Sequence, residues 1–290
     1  MRQTCFALPG ALGVHAQTSR CLVILQRILA VVEERLRERM QARPLREIER
    51  MAADAPAPRK FAAAVAAGAG DLGLIGELKK ASPSAGVIRD PFDVVELAGA
   101  LTRGGADALS VLTEADHFQG ALDNLSAVAD TGLPRLQKDF VVHEYQVLEG
   151  RAAGADAVLL IAEALDAPRA ESLCALALDL GMDVLYESHD PVHVRRVAQR
   201  ATRDPQRILV GINNRDLRTF DVRLDATLRA LEEIPRGLCV VSESGIHTPE
   251  DALALRDAGA RGILVGESLM RADDVEEAAR TLLAAVRATQ

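Results

Sequence analysis

A (β/α)8 barrel, the TIM-barrel form of the α/β class with an extra N-terminal helical segment, is the fold this sequence predicts. Three observations predict it. Eight short apolar runs recur along the chain, at a spacing of roughly 25–30 residues, the length of one strand plus one helix. Helical periodicity fills the gaps between them. Most of the runs stop abruptly on charged, amide or glycine residues, as strands do when they open onto a shared mouth.

The elements follow in order. Leu25, Ile28, Leu29, Val32 and Leu36 recur at helical spacing within Leu22 to Met40, with Arg and Glu opposite. Residues 41–60 carry Pro44, Pro56 and Pro58, which predicts a short helix near Leu45 to Ala53 and then a connection. A further helix is expected over Phe61 to Ala67. Strands are expected over 72–78, 108–112, 134–138, 156–161, 183–187, 208–212, 239–242 and 262–265. Between them, Pro91 to Arg103 and Tyr145 to Ala153 read as helices. Asp190-Pro191 reads as an N-cap followed by proline at the first helical position. Thr248-Pro249-Glu250-Asp251 repeats that logic with a carboxylate three residues after the cap. Residues 1–20 read as a disordered extension rather than a secretory leader, because Pro9, Gly10 and Gly13 interrupt any apolar core. Residues 21–290 read as one barrel domain that includes the N-terminal helices of 21–70. The alternative fold is a doubly wound open sheet, but no GxGxxG follows the first strand.

Composition narrows the function classes. The 290 residues are 49% hydrophobic but only 3% aromatic, with no Trp, so aliphatic side chains must fill the core. A net charge of −8 argues against a nucleic-acid surface. No apolar stretch is long enough to span a bilayer. The four cysteines form no CxxC pair, which fits a reduced, cytoplasmic protein. Cys239, inside an apolar run, reads as core filler. The expected partner is a small phosphorylated molecule, with no nucleic acid or membrane, on a monomer or weak homo-oligomer.

The strand ends carry the chemistry. Gly76-Glu77-Leu78-Lys79-Lys80 closes the first strand. Strand alternation puts Glu77 and Lys79 on one face and Lys80 on the other. Lys138 ends the third strand, Glu187 the fifth, Asn213 and Arg215 follow the sixth, and Glu243 ends the seventh. A lysine partly withdrawn from water is expected to have its pKa lowered toward neutrality, making a general acid. Asp139 is expected only to balance charge beside Lys138. The three glutamates read either as bases and stabilisers of positive charge or as structural ion-pair partners of Lys79, Lys138 and Arg215. Asn213 suits hydroxyl groups, and the Arg215 fork suits a carboxylate. Ser244-Gly245 and Gly266-Glu267-Ser268, after the last two strands, put small residues where phosphate sits in such barrels. His189 and His193 have the i, i+4 spacing of metal ligands but no evident third ligand, so no metal site is expected.

As a set, GELKKASPS, SVLTE with FQG, KDF, GADAVLLIA, ESHD, GINNRDLRTF, VSESGI and VGESLMR run in one order along the chain. In this it resembles the indole-3-glycerol phosphate synthase family, from about Leu25 to near the C-terminus. The resemblance implies a (β/α)8 barrel with an N-terminal helical segment and no metal or organic cofactor. It implies closure of 1-(2-carboxyphenylamino)-1-deoxyribulose 5-phosphate to an indole with loss of CO2 and water. Lys138 would be the main general acid. Glu187 would serve later proton transfers or stabilise a cationic intermediate. Lys79 would hold an anionic group and protonate the leaving hydroxyl, with Glu77 as its partner and a base. Asn213 would orient sugar hydroxyls, with Arg215 at the carboxylate end and Glu243 completing the polar floor. Ser82 and Phe140 would line the anthranilate pocket. Ser244, Gly245, Gly266 and Glu267 would hold the phosphate through backbone N–H groups.

Several positions depart from the usual pattern. Gln137 precedes Lys138 where Arg is common, Ala85 follows the SPS turn where Lys is, and His117 replaces an aromatic. Tyr186 and Ser188 flank Glu187 unusually. Two other readings compete. Phosphoribosylanthranilate isomerase chemistry would need a Cys–Asp pair at strand ends, which no strand supplies convincingly. A catalytically idle barrel acting as an assembly partner would predict damage at Lys79, Lys138 or Glu187, and all three are intact.

Overall fold

Period-two alternation within the strands decides what faces the barrel axis. The computed structural model describes residues 13–215 and 222–288. Among them eight parallel strands close a ring: β1 (Gly73–Leu78), β2 (Ala108–Leu112), β3 (Arg135–Lys138), β4 (Ala157–Ile161), β5 (Asp183–Ser188), β6 (Ile208–Asn213), β7 (Val240–Glu243) and β8 (Gly262–Val265). β1 pairs with both β2 and β8, so the sheet has no free edge and the open doubly wound alternative is excluded. All eight expected strands are present to within a residue or so at each end.

Helices α1 (Gly13–Ala42), α2 (Leu45–Asp54) and α3 (Phe61–Ala66) precede the barrel. Between strands lie α4 (Val94–Arg103), α5 (Asp123–Ala127), α6 (Glu144–Ala152), α7 (Ala167–Asp179), α8 (Pro191–Ala201), α9 (Asp225–Glu233) and α10 (Pro249–Asp257). Short helices α11 (Glu267–Met270), α12 (Val275–Leu282) and α13 (Ala284–Arg287) finish the chain. The first helix starts earlier than the pattern of 22–40 suggests, and residues 13–20 of the expected extension lie within it. The rest of that extension, residues 1–12, lies outside the described residues. Pro91 does not open α4. The Asp93 carboxylate instead accepts from the N–H groups of Val95 and Glu96 and sets the helix start at Val94. Asp190 and Thr248 cap α8 and α10 as expected, the latter in a reciprocal box with Asp251.

Two apolar layers result. Inside the barrel, Ile75, Leu136, Leu159, Leu185, Leu209, Val241 and Leu264 pack with Phe61 and Val65 of α3. Outside, alternate strand residues such as Leu74, Val184, Tyr186 and Val240 pack against the helices. Ile75 shares its face with Glu77, Leu136 with Lys138, Leu185 with Glu187 and Val241 with Glu243. The same alternation that fills the core therefore aims four charged side chains into the barrel mouth. Cys239 belongs to the inner layer, and burial pushes its thiol up to about 12, as expected of inert filler.

Candidate active site

Strand ends β1, β3, β5, β6 and β7 supply one buried charge cluster. Lys138 Nζ donates to Glu187 Oε2 at 2.8 Å and to Glu243 Oε2 at 2.9 Å. Lys79 Nζ donates to Glu77 Oε1 at 2.5 Å. Asn213 Nδ2 donates to Glu187 Oε1 at 2.8 Å, which fixes the amide orientation. The parallel register sets this up: Glu187 lies opposite Gly211, and Asn213 opposite Glu243. A Cβ at Gly211 would stand 2.5 Å from Glu243 Oε1, so glycine there makes room for the carboxyl. Gly266 likewise lets Glu77 pass, since a Cβ would lie 2.6 Å from its Oε1.

Electrostatics divide the groups. Burial alone would lower the Lys138 pKa, but Glu187, Glu243 and Glu77 outweigh it and hold the pKa well above the usual lysine value. The expected drop toward neutrality is thus reversed: Lys138 is firmly protonated in the resting site. Burial also opposes ionisation of Glu187 and Glu77, yet the neighbouring ammonium groups win and lower both pKa values. Glu243 goes the other way. Burial and the Glu187 charge outweigh Lys138 and push it up to about 8. Two carboxyls on one ammonium are thus pushed in opposite directions, Glu187 down and Glu243 up, the pattern that separates acid from base roles. Glu243 Oε1 is buried with no hydrogen-bond partner.

Asp139 does not balance Lys138. Alternation turns it away, and its carboxylate accepts from Thr113 Oγ1 at 2.5 Å and from the Phe140 N–H at 2.8 Å. The ion-pair reading of Glu77, Glu187 and Glu243 is realised for the two lysines. Arg215 reaches none of the three and stands 3.7 Å from Glu267.

A cavity of about 200 Å³ opens above the cluster. Every residue proposed from sequence lines it, including Ser82 and Phe140. Ser82 is buried, and its Oγ accepts from the Ala85 N–H at 3.2 Å, closing the turn after β1. After β7, two strands from β1 around the ring, Ser244 and Gly245 are consecutive left-handed residues with φ of 68° and 76°. No side chain caps α11 at Gly266, so the first N–H groups of that helix lack a capping acceptor. The Glu267 carboxylate is held by Arg271 at 3.0 Å.

Sequence reasoning missed part of the wall. Leu25 and Ile28 of α1 line the cavity together with Leu112 and Phe118. Phe118 and Phe140 stand 6.2 Å apart, centroid to centroid. Glu114 is buried and accepts from the N–H groups of Asp116, His117 and Phe118, so it shapes the loop that presents the ring. Leu25 and Ile28 were visible only as one face of a helix, whose partner the periodicity does not name. His189 and His193 both approach Glu163 Oε1, at 3.3 and 3.6 Å, a carboxylate their spacing did not reveal. Among the described residues no group of three or more side chains forms a metal site. No helix among them is long and apolar enough to cross a membrane.

Fold and mouth together define an enzyme of the (β/α)8 class, with a buried lysine–carboxylate cluster beside a left-handed turn and an uncapped helix start. The chain belongs to the indole-3-glycerol phosphate synthase family, whose model matches residues 25–282. Membership makes it a carboxy-lyase of tryptophan biosynthesis. It is 47% identical over 262 residues to "Indole-3-glycerol phosphate synthase" of Aromatoleum aromaticum, covering 89% of this chain and 98% of that one. It is 46% identical over 255 residues to the protein of the same name from Laribacter hongkongensis, covering 87% and 95%. Among solved structures, a mutant tryptophan synthase α-subunit from Pyrococcus furiosus matches at TM-score 0.54 and 16% identity, covering 73% of this chain and 98% of that one, a likeness of fold alone.

Proposed function

We propose that the mouth closes 1-(2-carboxyphenylamino)-1-deoxyribulose 5-phosphate to indole-3-glycerol phosphate, with Lys138 as the general acid. The observation that carries this is the single ammonium of Lys138 held between the Glu187 and Glu243 carboxyls, whose pKa values are pushed in opposite directions. The substrate phosphate sits on the Ser244–Gly245 turn and the start of α11, where backbone N–H groups favour an anion. The anthranilate ring lies among Phe140, Phe118, Leu25 and Ile28, beside Ser82. Arg215 faces the carboxylate end, and Asn213 orients the sugar hydroxyls.

The aromatic carbon bearing the carboxylate attacks the ketose carbonyl, and a C–C bond forms. Lys138 protonates the oxygen as it becomes an alkoxide. An alkoxide is more basic than any amine, so even a strongly basic ammonium donates downhill at that moment. The ring now carries positive charge, which ionised Glu187 stabilises. Loss of CO2 returns the electron pair of its C–C bond to the ring. Lys79 then protonates the departing hydroxyl, water leaves, and Glu77 accepts the remaining ring proton. Binding energy from the phosphate holds the reacting end in place. No metal or organic cofactor enters these steps, so EDTA is expected to leave the rate unchanged. We place the enzyme in the cytoplasm.

The test is direct. Purified protein given the carboxyphenylamino ribulose phosphate should develop indole fluorescence with one CO2 released per indole. Folded protein that yields no indole overturns the assignment.

A further inference from the structure

Glu187 is the penultimate residue of β5, which ends at Ser188, and the chain turns directly after it. Alternation sends Ser188 to the outer face, where it is fully buried. There its Oγ donates to Glu163 Oε1 at 2.6 Å. The same oxygen accepts from the N–H groups of His189 and Asp190, each at 3.1 Å. Glu163 stands in the β4–α7 connection, and its side chain is only 10% exposed. One residue earlier, the Ala162 N–H donates to the Glu187 carbonyl at 2.9 Å. Arg196 of α8 in turn holds the Ala162 carbonyl at 2.8 Å. One two-residue segment, Ala162–Glu163, therefore holds the Glu187 carbonyl and the three residues that follow it. Glu163 does not line the catalytic cavity.

We propose that Glu163 is a positioning residue for Glu187, a clamp that fixes the turn after β5 and with it the direction of the Glu187 side chain. A carboxylate suits the task because one oxygen takes three convergent donors, which a neutral acceptor does less strongly. Ser188, one of the two unusual neighbours of Glu187, supplies the shortest of the three contacts. Asp190, the last of them, also caps α8, so the clamp ties the helix start to the turn. The proposal rests on the role given above to Glu187.

Turnover of Glu163→Ala, normalised to folded protein, tests it. A small misplacement of a reacting group costs up to about 10²-fold. We expect kcat to fall about 10–100-fold with KM little changed, because Glu187 acts in the chemical steps rather than in binding. Glu163→Gln, which keeps an acceptor at the same reach, should restore most of the loss. Should Glu163→Ala not fold, Ser188→Ala carries the test with a smaller kcat loss at unchanged KM. Unchanged kcat per folded molecule in these variants, whatever happens to Tm, overturns the proposal. Glu187→Gln is measured alongside: if it turns over normally, the role of Glu187 fails; if it is inactive while Glu163→Ala is normal, only the clamp fails.

Discussion

Arg135 and Lys138 stand on the same strand, three residues apart, and both are charges withdrawn from water; yet they belong to two different kinds of site. At the barrel floor, Arg135 Nη1 donates to the Leu125 carbonyl at 2.6 Å, and its neighbour Asp156 accepts from the N–H groups of Arg59 at 2.7 Å and Arg135 at 2.8 Å. Asp183 accepts from the Ala62 N–H and from Arg207 Nε, each at 2.9 Å. These carboxylates bond backbone groups and lash α3 and the strand starts together. At the mouth, Glu187 and Glu243 instead share one lysine, and Glu243 keeps an unpartnered oxygen. Full satisfaction makes buried charge a fastener. Partial satisfaction leaves acceptors and protons in reserve for a ligand, at some expense in stability.

The contrast can be broken most sharply at its two cations and their partners. Lys138→Ala should lower kcat by about 10²–10⁴-fold, the range for a lost general acid, while circular dichroism shows a folded barrel. Near-normal turnover would remove Lys138 from the acid role. Asp156→Ala should do the reverse. It strands the buried Arg135 and should destabilise by about 3–5 kcal/mol in urea unfolding. The folded fraction should retain wild-type kcat, since the floor lies at the far end of the barrel.

Glu243→Gln sharpens the comparison through pH. The folded-state pKa of Glu243 is raised to about 8, above its unfolded value. Between the two values the native state binds more protons than the unfolded chain, so this group's contribution to stability falls as pH rises toward 8. The Tm of Glu243→Gln relative to wild type should therefore climb from pH 5 to 8 and level off above. A flat difference would mean that Glu243 is ionised throughout. The smallest effect belongs to the surface: Arg280→Ala breaks exposed pairs with Glu276 and Glu277 and should leave both Tm and kcat unchanged.

Much of this contrast was legible beforehand, and unevenly so. Lys79, Lys138, Glu77, Glu187 and Glu243 follow apolar runs, and a period of two tells which face each takes. The floor left no such trace: Asp156 and Asp183 look like ordinary strand-start residues until Arg59, just before α3, and Ala62 within it bring N–H groups to them. Pro91 and Asp93 compete as helix starts in the sequence, and the Asp93 carboxylate, with Glu96 three residues on, takes the N–H groups that begin α4. Glu163 carries no motif, since its three donors lie 25 to 27 residues away.

The sequence by itself determined the eight strands, their inward faces and which charged residues reach the mouth, because periodicity and strand ends are local properties of a chain. Only the tertiary structure decided the protonation of those residues. A lysine that burial alone would have made a weak base became a fixed cation, because Coulomb attraction from glutamates on other strands, Glu187 foremost, exceeded its desolvation. Distances between strands, which set that attraction, exist only once the barrel has closed.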